Sequence, residues 1–242
     1  ARLVALLDDP RNDIFLHVDK KCKEFNPESI KARCKYSGLV LLPRRKVSWG
    51  AFSQIQCELD LLKIATRRGY ARYHLLSGSD LPIKSQDEIH AFFEQYLSTE
   101  FISYHDHAME QREFLDRIAL YHPLQEWIGH QRKNTPIKLV NKAILKLQDI
   151  LHIDRQKRFS DVPKKGTNWF SITHEFASYV VSQEKSIQNR YRWTLCADEI
   201  FIQTLAWNSP FREHVMNDSK RYVDWKRGRP YTFRKTDFDE LM

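Results

Sequence analysis

The chain has 242 residues, 42% of them hydrophobic and 29% charged, which is enough for one full core and too polar for a membrane-embedded protein. No apolar run reaches the ~18 residues of a spanning helix, and nothing at the start reads as a secretory signal. The formal net charge of +8 suits an anionic partner, whether nucleic acid, an acidic membrane surface or a phosphorylated small molecule. Cys22, Cys34, Cys57 and Cys196 show no C-x-x-C spacing, so neither a zinc site nor a dense disulfide framework is expected, and a reducing compartment is implied.

Residues 1–9 have the pattern of a helix tail. Asp13–Asp19 (D-I-F-L-H-V-D) reads as a buried strand ending on a carboxylate, and Asn26-Pro27 as an N-cap followed by proline at the first helical position. Gly38–Pro43 predicts a second strand. From Ala51 to Arg68 the spacing predicts a helix with Phe52, Ile55, Leu59 and Leu62 on one face, stopped by Gly69. Arg72–Ser77 predicts a third strand running into Gly78-Ser-Asp80. Ser85 and Glu88 form a capping-box pattern for a helix to Leu97, and Phe101–Tyr104 predicts a fourth strand. Strands alternating with helices argue for an α/β sheet of largely parallel order, in which ligands gather beyond the carboxyl ends of the strands. Asp19, the Trp49-Gly50 turn and Asp80 all fall at such ends.

Thr135-Pro136 opens a helix with Ile137, Val140, Ile144, Leu147 and Leu151 on one side and Lys138, Lys142 and Lys146 on the other. Such a helix either packs on the domain with a solvated basic face or lies on an anionic membrane. Residues 155–165 read as a basic loop, Gly166–Ile172 as a strand, and Thr173 as the cap of a helix to Ser182. The stretch from Thr194 to Asn208 reads as one helix with Asp198 and Glu199 in its first turn and Pro210 closing it. The positive end of the helix dipole would favour ionised carboxylates there, so Glu199 can serve as a general base, or the pair can simply cap the helix. The tail from Arg221 to Arg234 is dense in cations and aromatics, a composition suited to nucleic acid or to a nucleotide pyrophosphate.

Familiar alternatives find little support. His105-Asp-His107 lacks a third metal ligand nearby, and Asp237-Phe-Asp239 lies in a charged terminal segment where capping is the simpler role. No G-x-x-x-x-G-K or G-x-G-x-x-G cradle occurs, and Ser77-Gly-Ser79 lacks the first glycine of a nucleophile elbow.

The motifs H-V-D-K-K (17–21), V-S-W-G (47–50), L-S-G-S-D-L-P-I-K-S (76–85), K-G-T-N-W-F-S-I-T (165–173), A-D-E (197–199) and Y-V-D-W-K-R-G-R-P (222–230) follow one another in a single series. This series resembles the core-2/I-branching β-1,6-N-acetylglucosaminyltransferase family, which includes the peptide O-xylosyltransferases, in a compact bacterial form. The resemblance implies a GT-A-like fold with a mixed, mostly parallel sheet flanked by helices. It also implies inverting transfer from a UDP-sugar, typically UDP-N-acetylglucosamine, to a hydroxyl of an acceptor glycan in polysaccharide biosynthesis. By the same resemblance Glu199 is the catalytic base, Asp19 lies at the uracil, and Trp49 and Asp80 line the nucleotide. Trp225 is implied near the acceptor, with Asp198, Gly166, Thr167 and Trp169 at the substrate. Arg234, with Arg229 or Lys226 as a second, would hold the diphosphate, so no metal or other cofactor is expected. The family's first strand would precede Ala1, and its last basic motif would follow Met242.

Physical chemistry is compatible with this picture. A single displacement needs one carboxylate base and positive charge at the leaving diphosphate, and Trp49, Trp169 and Trp225 offer flat faces for a uracil or pyranose ring. The expectation is one glycosyltransferase domain over 1–242, with a nucleotide-binding half of about 1–104 and an acceptor and catalytic half of about 105–242. It would act in the cytoplasm or at the inner face of the cell membrane, on a UDP-sugar and a glycan or exopolysaccharide acceptor. A UDP-xylose donor, or a non-catalytic basic module for nucleic acid or anionic glycan, are the alternatives.

Overall fold

The computed structural model describes residues 2–105, 108–130, 135–228 and 230–241, without the side chains of 108–113. The elements in order are α1 (Arg2–Leu6), β1 (Asp13–Leu16), α2 (Pro27–Lys31), β2 (Gly38–Leu41), α3 (Phe52–Ala65), β3 (Arg72–His74), α4 (Gln86–Glu94), β4 (Glu100–Ile102) and α5 (Ala108–Ala119). They continue with α6 (Gln125–Ile128), α7 (Pro136–Ile150), β5 (Phe170–Thr173), α8 (His174–Ser182), α9 (Glu184–Tyr191), α10 (Phe201–Trp207), β6 (Val215–Met216) and α11 (Phe238–Leu241).

The local stop and start signals act as the sequence implies. Asn26 accepts from Ser29 N at 3.1 Å before Pro27. Ser85 and Glu88 complete a reciprocal capping box on α4, and Thr173 accepts from Phe176 N at 3.2 Å to start α8. Beyond α3 a short 3-10 turn, Thr66–Arg68, ends on Gly69 in the left-handed region at φ +71°.

β1 and β2 pair in parallel, Asp13 against Gly38 through Leu16 against Leu41. The second sheet among the described residues has the order β3-β5-β4-β6, with β5 antiparallel to both neighbours and β6 parallel to β4. The mixed character expected of the fold is therefore present. Its antiparallel component arises because β5, from late in the chain, returns between two strands laid down early. Phe170 and Ile172 carry β5 into a core with Ile55, Leu59, Ile102, Phe176, Val180, Phe201 and Ile202, so α3 and α8 cover this sheet.

Three expectations are corrected. The stretch 194–208 is not one helix: Ala197–Glu199 form a 3-10 turn, Ile200 breaks away at φ −128°, and α10 starts only at Phe201. The break lets Ile200 drop fully into the core. Gly166 to Trp169 precede β5 rather than opening it, because Gly166 N bonds to Glu199 O instead of to a strand. On α7 the expected inward residues Val140, Leu147 and Leu151 are exposed, and Gln148 is the buried one.

Gln148 is buried because its amide makes a pair of bonds to one peptide unit: Oε1 accepts from Tyr121 N at 2.7 Å and Nε2 donates to Tyr121 O at 2.9 Å. Next to it, the buried Arg155 guanidinium lies over the Tyr121 ring, 4.5 Å from its centroid. It donates to Leu120 O and Trp193 O, each at 3.1 Å, and to Arg190 O at 2.7 Å. One planar cation thus satisfies carbonyls at the ends of α5 and α9, a task a single ammonium cannot copy. Arg155→Lys is expected to lower unfolding free energy by about 2–3 kcal/mol, as two or more buried carbonyls lose their donors. Denaturant unfolding checks this, and a loss under about 0.5 kcal/mol would contradict it.

Candidate active site

The 3-10 turn Ala197–Glu199 is held by its main chain from two sides. Cys196 N donates to Gly50 O, and Gly166 N donates to Glu199 O, both at 2.9 Å. Each contact requires a glycine. Gly50 sits at φ +70°, and a Cβ there would stand 3.1 Å from Cys196 Sγ. A Cβ on Gly166 would stand 1.7 Å from Ser103 O, a backbone atom that cannot step aside. Cys196 itself is left-handed at φ +50°, uncommon for a residue with a side chain and a mark of backbone fixed by its surroundings.

On this turn Glu199 points outward, its side chain 38% exposed. Arg117 Nη1, from α5, donates to Glu199 Oε2 at 3.0 Å, and Lys165 Nζ lies 3.9 Å from the same oxygen. Neither cation was singled out from the sequence. Lys165 had appeared only as the first letter of a motif, and Arg117 comes from a helix with no local mark of function. Gln54 Oε1 accepts from Gly50 N, and Gln54 Nε2 donates to Asp198 Oδ2 at 2.9 Å, so one amide links the Gly50 backbone to the middle of the turn.

Asp198 points inward and is buried. Burial, with Glu199 as its charged neighbour, pushes its carboxyl from 3.8 up to about 6. The expected dipole stabilisation of the ionised form is overridden there, and the turn is not a helix start in any case. Behind it, Glu58 of α3 is buried too and shifted well upward by burial and by Asp198. Glu58 carried a signal in the sequence: it shares the apolar stripe of Ile55, Leu59 and Leu62.

The neighbouring loop is fixed by Thr167, whose N donates to Ser103 Oγ at 3.2 Å and whose Oγ1 lies 2.7 Å from the same oxygen. Gln203 Nε2 donates to Thr167 O. Trp169 Nε1 donates to Asp80 Oδ2 at 2.9 Å, while Ser77 N and Ser77 Oγ donate to the two Asp80 oxygens, each at 2.8 Å. Asp80 thereby ties the end of β3 to the approach to β5. The half-buried Asp19 feels burial, which raises its pKa, but hydrogen bonds from Lys21 and Val47 and the Lys21 ammonium bring it below the ordinary value. Lys21 N donates to it at 2.8 Å. Two residues beyond Val47, Trp49 is exposed, edge-on to His130 at 5.1 Å, and its carbonyl accepts from Gln125 Nε2 at 2.8 Å.

The structure therefore joins Glu199, Asp198, Gly166 and Thr167 into one unit, and Asp80 with Trp169 into a second. Trp225 and Arg234 stand exposed on the tail. That segment is held by Arg227 between Asp224 and Glu240 and by Arg234 N donating to Asp237 Oδ2 at 2.7 Å. Asp237 thus has the capping role. The tail reaches the strand ends through the partly buried Arg221, which donates to Leu75 O at 3.0 Å. Arg229, and Asp106 and His107 of the histidine motif, lie outside the described residues. Among the described residues no cluster of three or more His, Cys, Asp or Glu is arranged to hold a metal ion.

The raised Asp198 carboxyl makes stability pH-dependent. The unfolded chain ionises it near ~3.9 and the folded chain near 6, so the folded state holds the extra proton in between. Stability is then greatest below the lower value and falls as pH rises through the window. Asp198→Asn should match the parent near pH 4 and exceed it at pH 7.5 by about 1–3 kcal/mol. Unfolding at both pH values checks this; an equal gain at both would refute the assignment.

The core-2/I-branching enzyme model matches residues 1–240. The chain is 24% identical over 237 residues to xylosyltransferase 2 of Canis lupus familiaris, covering 93% of this chain and 25% of that protein. It is 24% identical over 226 residues to xylosyltransferase 1 of Homo sapiens, covering 88% of this chain and 21% of that protein. It thus spans about a quarter of the length of these curated relatives. The mixed sheets with flanking helices agree with a GT-A-like fold. From a match that runs through both sheets and through the Glu199 turn, the chain belongs to the core-2/I-branching enzyme family.

Proposed function

We propose that this protein is an inverting glycosyltransferase that moves a sugar from a UDP-sugar to a hydroxyl of an acceptor glycan, with Glu199 as general base. The observation that carries this reading is the Glu199 carboxylate itself, half-exposed on a main chain fixed from both sides and flanked by Arg117 and Lys165. Glu199 takes the proton of the acceptor hydroxyl as its oxygen attacks the anomeric carbon. The bond to UDP breaks on the opposite face, so configuration inverts in one displacement. Arg117 holds the carboxylate in register, and basic side chains, Arg234 and Arg229 among them, offset the charge growing on the departing diphosphate. Asp19 and Trp49 bind the nucleotide, and Trp169 and Trp225 the sugar rings. The reaction requires no metal.

N-acetylglucosamine is the donor sugar of first choice, through the motif series. The curated relatives are named xylosyltransferases, which favours UDP-xylose as the second reading. A UDP-release screen over UDP-GlcNAc, UDP-xylose, UDP-glucose and UDP-galactose separates them.

Glu199→Gln is expected to lower turnover by about 10²–10⁴-fold while UDP binding stays within about twofold, because only proton removal is lost. An active Gln variant would sink the assignment. Turnover of the parent enzyme should persist in excess chelator; strict dependence on added Mn²⁺ would refute the metal-independent mechanism.

A further inference from the structure

The outward side of α7 has no role in the site. This helix of 15 residues meets the body through Ile137, Asn141, Ile144, Leu145 and Gln148, which share one face. At 100° per residue, Leu139, Val140, Ala143, Leu147, Ile150 and Leu151 form a second stripe centred about 120° from the first, adjoining it along the Val140 and Leu151 edge. Its five large aliphatic side chains are 53% to 62% exposed. Single exposed leucines are ordinary on a protein surface, but a continuous stripe over about three turns marks a surface that something covers.

The charge pattern selects what covers it. Lys138, Lys142 and Lys146 fall in one row between the buried face and the aliphatic stripe, and Asp149 is the helix's one carboxylate. The stripe contains no aromatic ring and no hydrogen-bonding side chain that would specify a protein partner. A second copy would bring the same rim, in which Lys138, Lys142 and Lys146 outnumber the single Asp149, so like charge would predominate at the contact. An anionic bilayer supplies both complements at once, hydrocarbon for the stripe and lipid phosphates for the lysine row. No helix among the described residues is long and apolar enough to cross a membrane, and α7 at ~22 Å would lie in the interface rather than span it.

We propose that α7 is a peripheral docking surface for an anionic lipid bilayer, through Leu139, Val140, Leu147, Ile150 and Leu151 with Lys142 and Lys146 at the rim. The inference does not rest on the glycosyl-transfer reading, since it concerns a face that contributes nothing to Glu199. Docking would nonetheless be felt near the site. Gln148 grips the Tyr121 peptide, a few residues beyond Arg117, so α7 is a rigid extension of the body.

The test is co-sedimentation of the full chain with vesicles of phosphatidylcholine alone and of phosphatidylcholine with about one-third phosphatidylglycerol. Binding to the anionic vesicles is expected to be at least tenfold tighter and to weaken as salt is raised. The pair Leu147→Ser and Ile150→Ser, at exposed positions where thermal unfolding should not change, is expected to reduce binding tenfold or more. Lys142→Gln with Lys146→Gln should reduce it about tenfold on anionic vesicles and hardly at all on neutral ones. Absence of binding to anionic vesicles overturns the proposal, as does binding that both pairs leave unchanged. Concentration-dependent self-association that the serine pair abolishes, without vesicle binding, also overturns it and assigns the face to a second copy.

Discussion

The main-chain bond from Gly166 N to Glu199 O is the constraint on which the site depends. It draws together two segments far apart in sequence, the approach to β5 and the 3-10 turn before α10. It can form only because Gly166 passes Ser103 O where no side chain fits. The bond from Cys196 N to Gly50 O closes the other end of the turn, so Glu199 is placed by backbone atoms and its partly exposed carboxylate turns outward to Arg117 and Lys165. Main-chain placement of this kind tolerates side-chain variation around it. It also transmits any displacement of the Gly166 loop directly to the carboxylate.

The same turn divides its two acids by environment. Glu199 has cations and solvent, whereas Asp198 has Gln54 and the buried Glu58. Like charges in a desolvated space disfavour each other's ionisation, so the interior side of the turn leans toward the protonated state while the outer side keeps its cationic partners. Such an arrangement is costly to the fold at neutral pH and is characteristic of sites whose chemistry constrains them. Buried Arg155, satisfying carbonyls at the ends of α5 and α9, keeps the helix that presents Arg117 in place against that cost.

Where structure is decided by neighbours in the chain, the sequence could be read directly. Asn26, Ser85 and Thr173 cap the helices expected of them, Gly69 ends the 3-10 turn that follows α3, and the first two strands start where expected. Glu199 was likewise visible, chiefly through the motif series, and its adjacent acid with it. What escaped was decided at long range. The break at Ile200 follows from a left-handed Cys196 that fits only against Gly50. The antiparallel insertion of β5 depends on pairing with residues as distant as Arg72, which lies opposite Thr173, and Phe101, which lies opposite Ser171. Periodicity gives α7 one apolar side, Ile137 to Leu151, opposite a lysine stripe, but not that Val140, Leu147 and Leu151 stay exposed, because the deciding contact is Gln148 on the distant Tyr121 peptide. Arg117 had no local signal at all, since its partner lies 82 positions away.

The burial pattern also sorts the four thiols by reactivity. Burial pushes Cys57 and Cys196 up to about 12, and Cys34 upward as well, so their nucleophilic thiolate forms are scarce at neutral pH. Cys22 alone of the four is exposed. It sits on the turn whose main chain closes onto Asp19, with Cys22 N donating to Asp19 O at 2.9 Å. A thiol-directed fluorophore would therefore enter preferentially at Cys22 and report from the turn beside Asp19. Covalent labelling there reaches this region without any engineered cysteine.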